Sequence, residues 1–239
     1  MKRNYLLVLL LALIGLDFCA YGQTGLHDDQ VISYQYKPGK EQLILYWKDD
    51  RGQLIGSLGN LKKLVASRHQ QLLFAMNGGM YMVDRRPQGL FIEQGKTQHI
   101  VNNKTGFGNF YLKPNGVFYI NAKGQAGVST TDAFRTAKNI RYATQSGPML
   151  VINGRIHSAF KAGSKNLNIR NGVGILPDNS VLLVMSKGEV NFYDFAEYFQ
   201  RKGCRNALYL DGFVSRTYYP AVHFEQTDGA FGVMIGVVK

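Results

Sequence analysis

The chain has 239 residues, of which 45% are hydrophobic and 18% are charged, and its formal net charge is +12 at pH 7. This length and composition fit a single folded domain with a sizeable core and exclude a disordered or low-complexity chain. The basic balance favours an anionic partner. Because the Lys and Arg residues are scattered and form no dense run, we expect no nucleic-acid partner.

The N-terminus has the three parts of an export signal. Residues 2–3 are basic, residues 5–16 form a leucine-rich apolar run, and residues 20–22 (Ala-Tyr-Gly) resemble a cleavage site. The sequence therefore predicts a signal peptide over residues 1–22 and one exported domain, periplasmic or secreted, over residues 23–239.

Two cysteines bear on this interpretation. Acylation of Cys19, as in a lipoprotein, is the alternative, but the bulky Phe18 before it disfavours that reading. Cleavage after residue 22 leaves Cys204 alone, so an intramolecular disulfide is excluded. Cleavage also removes two positive charges and one negative charge, which takes the net charge from +12 to +11. No later run reaches the ~18 apolar residues of a membrane-spanning helix.

Apolar periodicity predicts a β-rich chain with three helices. The strands are predicted, in chain order, at residues 31–36, 42–47, 72–76, 90–92, 97–101, 109–112, 117–120, 141–144, 149–152, 173–176, 180–185, 206–210 and 231–238. The helices are predicted at residues 61–69, 131–138 and 192–202. Caps are expected at Asn60, at Thr130 or Thr131, and at Asn191. Trp47, the only tryptophan, is expected to pack in the core.

Turn residues between several of these strands predict hairpins. Lys37-Pro38-Gly39-Lys40 separates the first two strands, Lys113-Pro114-Asn115-Gly116 separates another pair, and Pro177-Asp178-Asn179 a third. Pro, Asn, Asp and Gly favour tight turns between strands. The fold class expected from these elements is α+β, with mixed β-sheets and a few packed helices in a single domain.

One pattern recurs three times: a short helix, a buried strand, and a polar residue followed by glycine. The strand exits are Asn77-Gly78, Ser146-Gly147 and Asp211-Gly212. If these helix-strand units lie side by side in one sheet, the three polar side chains emerge at the same edge. Such convergence would build a site.

Asp211 is the chemically most suggestive of the three polar residues, since a carboxylate held at the end of a buried strand suits acid–base catalysis. An Asp-Gly turn, with the carboxylate bonded to its own backbone, remains open. Residues 155–170 form a long, basic, irregular stretch, and long loops within domains are often functional. This stretch contains His157 and ends at Arg170.

Four segments in this order resemble the phosphodiester glycosidase family, over about residues 30–239. They are Asn77-Gly-Gly-Met-Tyr81, Gln145-Ser-Gly-Pro-Met-Leu-Val151, Ile169-Arg-Asn-Gly-Val-Gly174 followed by Leu182-Leu-Val-Met-Ser186, and Ala207-Leu-Tyr-Leu-Asp-Gly212. The family usually continues the last segment with further glycines and a serine pair, whereas residues 212–216 here read Gly-Phe-Val-Ser-Arg. We expect substrate choice to depend on this departure.

The resemblance implies hydrolysis of a sugar-1-phosphodiester, here in surface or cell-wall glycans. Phosphate is a good leaving group, so the reaction needs cationic stabilisation of phosphate and a carboxylate or activated water at the anomeric carbon. The resemblance makes Asp211 the base or nucleophile. Arg170 and Arg216 are candidate phosphate clamps, and His157 is a candidate proton donor or phosphate ligand. The residues expected to bind substrate are Asn77, Gly78, Gly79, Tyr81, Ser146, Gly147, Asn171, Gly212, Ser215 and Arg216.

Two other functions stay open. The chain could be a non-catalytic glycan- or phosphate-binding module on the same scaffold, or a phosphodiesterase that breaks the P–O bond. No set of metal ligands is evident, so no metal or other cofactor is expected, and the sequence does not define the oligomeric state.

Overall fold

The computed structural model describes residues 25–135 and 137–239, and the predicted signal peptide with Cys19 lies outside them. The strands are β1 (Val31–Tyr36), β2 (Gln42–Tyr46), β3 (Leu72–Asn77), β4 (Phe91–Glu93), β5 (Lys96–His99), β6 (Gly116–Asn121), β7 (Ala126–Thr130), β8 (Ile140–Ser146), β9 (Met149–Ile152), β10 (Arg155–Ile156), β11 (Asn171–Ile175), β12 (Val181–Ser186), β13 (Asn206–Asp211), β14 (Thr217–Tyr219), β15 (Phe224–Glu225) and β16 (Met234–Val238). The α-helices are α1 (Leu58–Ser67), α2 (Thr131–Phe134) and α3 (Phe192–Arg201), and 3-10 turns span Asp28–Gln30, Asn109–Tyr111 and Pro220–Val222.

The strands form three sheets. Sheet 1 has the order β1-β12-β11-β13-β9-β10, sheet 2 the order β15-β14-β3-β16-β2, and sheet 3 the order β5-β4-β8-β6-β7. All strand pairs in the described residues are antiparallel. The fold is therefore mostly β with few helices, compatible with α+β, and the expectation of mixed sheets was wrong.

The predicted helix-strand repeat is also not supported. The helices α1, α2 and α3 do precede β3, β8 and β13, but these three strands lie in three different sheets. The helix α2 is a single turn of four residues. Antiparallel neighbours need no helical crossover between them, so a helix followed by a strand does not define a repeating unit here.

Some predicted hairpins form and others do not. The strands β11 and β12 pair across the Pro177-Asp178-Asn179 turn as expected. By contrast, β1 pairs with β12 in sheet 1 and β2 pairs with β16 in sheet 2. Residues 109–112 contain a 3-10 turn in place of a strand, and β6 pairs with β7 and β8.

Two of the three predicted helix caps are observed, at Asn191 and Thr130, whereas Asn60 is not a cap. Asn191 caps α3 by accepting a hydrogen bond from the backbone N–H of Asp194 at 2.9 Å. Thr130 caps α2. The first helix starts three residues earlier than predicted, because the side chain of Ser57 accepts a hydrogen bond from the N–H of Asn60 and so provides the N-cap.

The central core contains side chains from all three sheets. Alternate residues of β13 serve different layers: Leu208 and Leu210 enter this core, while Ala207 and Tyr209 face the layer that contains α3. The helix α1 packs with sheet 2. Because β13 is buried on both faces, the residue at its end is held in a fixed position. In the described part of the chain, no helix is long and apolar enough to span a membrane.

Candidate active site

Asp211 lies at the end of β13, and the ends of strands from all three sheets meet beside it. Its Oδ2 accepts a hydrogen bond of 2.9 Å from Nδ2 of Asn77, the last residue of β3. The hydroxyl of Ser146, the last residue of β8, donates to the carbonyl of Leu210 at 2.8 Å. The three predicted strand exits therefore converge, although they come from three sheets and not from the edge of one.

The orientation of the Asn77 amide follows from its other partners. Its Oδ1 accepts hydrogen bonds from Nδ2 of Asn171 at 3.0 Å and from the backbone N–H of Arg216 at 3.0 Å. With two donors at Oδ1, the amide nitrogen must face Asp211 and donate to it. Asn171 lies opposite Asp211 in the β11–β13 pairing and also donates to the Asn77 carbonyl at 2.8 Å.

The protonation of Asp211 reflects two opposing effects. Burial raises the pKa of Asp211 to about 6, and the hydrogen bonds from the Gly212 N–H and the Asn77 amide act in the opposite direction. The Gly212 N–H donates to Asp211 Oδ1 at 2.8 Å. Each carboxylate oxygen therefore has one donor, and the group changes charge near neutral pH. Such a shift suits a general base or nucleophile.

One acceptor in the cluster has no donor. Oδ1 of Asn171 is buried and has no hydrogen-bond partner among the described residues. A buried carbonyl oxygen without a partner is costly, and such groups often mark places where a ligand or water binds. Asn171 can therefore receive a hydroxyl hydrogen from a bound molecule.

The glycines allow close approach of the backbone. A Cβ at Gly78 would lie 2.6 Å from Cγ1 of Ile235, and a Cβ at Gly147 would lie 2.6 Å from Cβ of Asn115. Neither position has room for a side chain. Gly79 and Gly212 approach Thr144 and the Tyr209 hydroxyl in a similar way.

The segment after Asp211 forms a tight turn with an exposed tip. The backbone N–H and the hydroxyl of Ser215 both donate to the Gly212 carbonyl, at 2.7 and 2.6 Å. Ser215 is buried, whereas Phe213 is 76% exposed. The predicted substrate contact of Ser215 is thus replaced in this structure by a bond that holds the turn, and Phe213 is the side chain that reaches solvent.

Tyr81 and Arg85 border the cluster on the side of sheet 2. Burial and the negative charge of Asp211 raise the pKa of Tyr81, which indicates that the phenol is close to this carboxylate. The Arg85 guanidinium lies over the Tyr81 ring, 5.3 Å from its centroid, and bonds to the carbonyl of Ala230. Arg85 is not among the predicted site residues, although it follows the Asn77–Tyr81 motif by only four residues.

Arg216 reaches the same region with a partly exposed side chain. Its Nε donates to both carboxylate oxygens of Asp228, at 3.1 and 3.0 Å. The Asp228 side chain is 63% exposed, so this ion pair is weakly held. Arg216 can therefore exchange Asp228 for a phosphate oxygen.

Arg170 is placed differently from the predicted phosphate clamp. It is fully buried. Its Nε donates to the Val190 carbonyl at 2.8 Å, and its Nη2 donates to Asn166 at 2.8 and 3.1 Å. The guanidinium stacks on Phe192 at 3.6 Å and donates through Nη1 to the Tyr209 hydroxyl at 3.4 Å. These bonds leave no free bidentate face for phosphate.

His157 also has both ring nitrogens bonded to backbone. Its Nδ1 accepts from the Ala159 N–H at 3.1 Å, and its Nε2 lies 3.0 Å from the carbonyl of Lys113. Since a carbonyl only accepts, Nε2 carries the hydrogen and the ring is neutral. Burial lowers the pKa of His157 as well. The geometry offers no nitrogen for the expected proton transfer or phosphate binding.

Tyr209 is the second residue that the sequence analysis missed. Its hydroxyl contacts Arg170 and lies next to the backbone of Gly212. Its position two residues before Asp211 on a buried strand was the available signal. It connects the buried Arg170 with the Asp211 turn.

Neither a metal site nor a reactive thiol is found among the described residues. No group of three or more His, Cys, Asp or Glu side chains is arranged to hold a metal ion. Cys204 is buried, and burial raises the pKa of its thiol to about 12. It is a packed thiol and not a nucleophile, as its position after the predicted helix end suggested.

Comparison with known proteins identifies relatives of the whole domain. The chain is 38% identical over 221 residues to the uncharacterized protein YigE of Escherichia coli (strain K12), covering 91% of this chain and 85% of that protein. Solved structures share the fold at low identity. The catalytic domain of zebrafish N-acetylglucosamine-1-phosphodiester alpha-N-acetylglucosaminidase, auto-inhibited by its pro-peptide, has a TM-score of 0.52 at 15% identity and covers 87% of this chain and 88% of its own.

A protein of Burkholderia pseudomallei K96243 described as exported has a TM-score of 0.55 at 12% identity, covering 87% of this chain and 73% of its own. At such identities, these two structures demonstrate the fold alone. The model of the phosphodiester glycosidase family matches residues 70–238, which include Asn77, Ser146, Asn171 and Asp211. The chain is therefore a member of the phosphodiester glycosidase family.

Proposed function

We propose that this protein is an exported hydrolase that cleaves a glycosyl phosphodiester in surface or cell-wall glycans. The observation that carries the proposal is the Asp211 carboxylate, held by Asn77 and Gly212 with a raised pKa in a member of this family. This chemistry does not require the N-terminal end of a helix. The carboxylate, the asparagines and the nearby arginines suffice.

The reaction breaks the bond between the anomeric carbon and the phosphate oxygen. Asp211 either removes a proton from the water that attacks this carbon or attacks it directly, and water then hydrolyses the glycosyl intermediate. The electron pair of the broken bond leaves with the phosphate, which departs as a phosphomonoester. Because this group is stable as an anion, the site needs little help from a general acid.

The departing phosphate needs positive charge. We assign this role to Arg216 and Arg85. The backbone N–H of Arg216 donates to Asn77, and the Arg85 guanidinium lies over the Tyr81 ring. Electrostatic stabilisation of this kind acts where charge develops in the transition state. Arg170 holds Asn166 and the Val190 carbonyl in place and supports Tyr209, so we assign it a positioning role.

The sugar is oriented by the polar residues around the carboxylate. The unpartnered Oδ1 of Asn171 accepts a hydroxyl hydrogen, and the Ser146 oxygen can accept another while it donates to Leu210. The tight packing at Gly78 and Gly147 against other parts of the protein fixes the backbone beside Asn77 and Ser146. Phe213 is exposed at the tip of the turn. We assign it contact with the group to which the sugar is attached.

Replacement of Asp211 by asparagine tests the proposal. We expect Asp211→Asn to lower kcat on a synthetic sugar-1-phosphodiester by about 10³-fold, while substrate affinity measured by calorimetry changes little. Asp132→Asn, at an exposed carboxylate, is the matched control and retains full activity. If both the wild-type protein and Asp211→Asn bind the substrate without turnover, the protein is a binding module and the proposal fails.

Hydrolysis in ¹⁸O-labelled water identifies the bond that is broken. The proposal requires the label in the released sugar, because water attacks carbon. Label in the phosphate would show P–O cleavage and would make the protein a phosphodiesterase. Export is tested separately by sequencing the N-terminus of the protein recovered outside the cytoplasm, which we expect to begin at Gln23.

A further inference from the structure

A cavity lies apart from the Asp211 cluster, between the edges of two sheets. The edge strand β2 of sheet 2 forms one wall, and the β4–β5 hairpin at the edge of sheet 3 forms the other. Its volume is about 450 Å³, which is enough for a small organic ligand. The lining residues used below are Tyr46, Trp47, Asp50, Arg68 and Glu93.

The hydroxyl of Tyr46 is unpartnered at this cavity. Tyr46 is 2% exposed, and its buried hydroxyl has no hydrogen-bond partner among the described residues. Leaving a buried hydroxyl without a partner costs stability, typically on the order of 1–3 kcal/mol. The folded protein therefore retains a donor and acceptor that its own side chains do not use.

Glu93 is a second unused group in the same cavity. Its carboxyl is half-buried, and no hydrogen bond or ion pair joins it to another group in residues 25–135 and 137–239. Burial raises the pKa of Glu93 to about 6, with Arg68 acting in the opposite direction. Tyr46 and Glu93 both line this cavity.

The charges around these groups indicate what kind of ligand fits. Three basic side chains (Lys48, Arg68 and Lys96) and three acidic ones (Asp49, Asp50 and Glu93) line this cavity, so its charges balance and neither an anion nor a cation is favoured. A single half-buried carboxyl is a poor site for a metal ion, which prefers several oxygen ligands. A neutral ligand with hydroxyl groups satisfies both Glu93 and Tyr46, since each hydroxyl can donate and accept.

Trp47 supplies an aromatic surface beside the polar groups. Trp47 is half-buried and packs against the core, with its ring centroid 6.1 Å from that of Phe91 in an edge-on arrangement. The Nζ of the exposed Lys48 lies over the Trp47 ring, 4.2 Å from its centroid. Aromatic rings combined with a few fixed polar groups are typical of small-molecule sites. The expected core position of Trp47 is thus only half correct, because the ring also lines this cavity.

We propose that this cavity is a second binding site, for a neutral sugar unit of a glycan, with Tyr46 and Glu93 bonding to its hydroxyl groups and Trp47 contacting its ring. The indole Nε1 of Trp47 donates to the Arg85 carbonyl at 2.9 Å, and Arg85 lies over Tyr81 beside Asp211. A short series of contacts therefore connects the two sites. Binding here does not depend on the reaction assigned to Asp211.

The only tryptophan in the chain is Trp47, so its fluorescence reports on this cavity. We would titrate the Asp211→Asn protein with the neutral oligosaccharides chitotriose and maltotriose, and confirm binding by saturation-transfer NMR. At least one of them should give a saturable fluorescence change. Tyr46→Phe should raise the dissociation constant about fivefold, the effect of one lost hydrogen bond. Glu93→Ala, tested as a separate variant, should raise it more than Tyr46→Phe does.

The Tyr46→Phe change also separates binding from folding. Because the hydroxyl has no partner in the protein, the variant should keep or exceed the parent melting temperature while binding less sugar. Tyr119→Phe, on β6 outside the cavity, is the matched control and should leave the titration unchanged. No saturable change with either sugar would overturn the proposal, as would binding that is equal in the parent, Tyr46→Phe and Glu93→Ala proteins. Hydrolysis of a phosphodiester is measured in the wild type, so its failure is seen independently.

Discussion

At the scale of single residues, Asp211 combines a function with a cost. Burial raises the pKa of its carboxyl to about 6, so the folded protein binds this proton more tightly than the unfolded chain does. Stability is therefore lost as the pH rises from the unfolded pKa, near 4, through about 6. The ionised form that the proposed catalysis requires is therefore the form that destabilises the fold.

The first prediction concerns this cost. At pH 7.5, Asp211→Asn should increase the free energy of unfolding by about 1–2 kcal/mol, less than the pKa shift implies because the amide keeps only part of the hydrogen bonding to Asn77 and Gly212. At pH 4 the difference should be small, since the wild-type carboxyl is then protonated in the folded state. Urea unfolding at both pH values measures this, and a variant that is less stable at pH 7.5 would contradict it.

The second prediction concerns the pH dependence of activity. If Asp211 is the base or nucleophile, kcat/KM should rise with pH through about 6 and reach a plateau near neutrality. Asn77→Asp places a second carboxyl within about 3 Å of the first. Because two adjacent carboxylates share a proton, the rising limb should move to higher pH by about 1 unit or more.

The control for this pH profile should replace a carboxylate without breaking other contacts. Asp178→Asn is unsuitable, since Asp178 bonds to Ser180 and Lys37. Asp132→Asn is preferred because its carboxylate is 90% exposed. An unchanged rising limb in Asn77→Asp would show that Asp211 does not control the reaction. A profile that falls with pH through about 6 would assign it the role of a general acid.

At the scale of elements, the start of α3 supports the site through a stack of side chains. His157 stacks on Phe160 at 4.9 Å, Phe160 stacks on Phe192 at 4.9 Å, and the Arg170 guanidinium lies 3.6 Å from Phe192. Phe192 is the first residue of α3, so the Asn191 cap also sets this stack. The long polar loop is thus held by the helix start, and Tyr209 transmits the position of Arg170 to the Asp211 turn.

The third prediction is that Arg170→Lys destabilises the protein by about 2–4 kcal/mol, because one ammonium cannot satisfy both the Val190 carbonyl and Asn166. A positioning role predicts a fall in kcat with a smaller change in KM. A phosphate clamp predicts a large rise in KM instead. Thermal unfolding and steady-state kinetics measure the two effects, and Arg205→Lys, at an exposed arginine, should change neither.

The start of α3 and several strands could be predicted locally from the sequence. Asn191 caps α3 as expected, and β9 has the predicted bounds. The pairing partners of β1 and β2 could not be predicted, because the turn sequence between these two strands does not show whether a distant strand pairs better with either of them. Instead, β1 pairs with β12 and β2 pairs with β16, and each partner lies more than 140 residues away in the sequence.

At the scale of the whole molecule, sheet 2 depends on a strand that is distant in sequence from its neighbours. The strand β16 lies between β2 and β3 in sheet 2, and all five of its residues are buried. Its side chains join both the central core and the layer beside α1. Sheet 2 therefore closes only when residues distant in sequence come together.

The fourth prediction is that removal of residues 234–239 prevents folding. The four buried side chains of β16 contribute roughly 6–12 kcal/mol of apolar burial, which is comparable with the whole stability of a typical domain. Circular dichroism should show no cooperative unfolding transition, whereas Lys239→Ala, which keeps the backbone bonds to Gln71, should fold normally. A truncated protein that unfolds cooperatively would show that sheet 2 is complete without this strand.

The sequence alone indicated Asn77, Ser146 and Asp211, because each follows a buried run that local periodicity reveals. Only the tertiary structure decided how they meet. The meeting point lies between three antiparallel sheets, and pairing between strands depends on burial and edge matching across the whole chain. The contacts of Arg170, His157 and Arg85 were decided in the same way, since the partners of a buried cation or imidazole are carbonyls and rings supplied by distant segments.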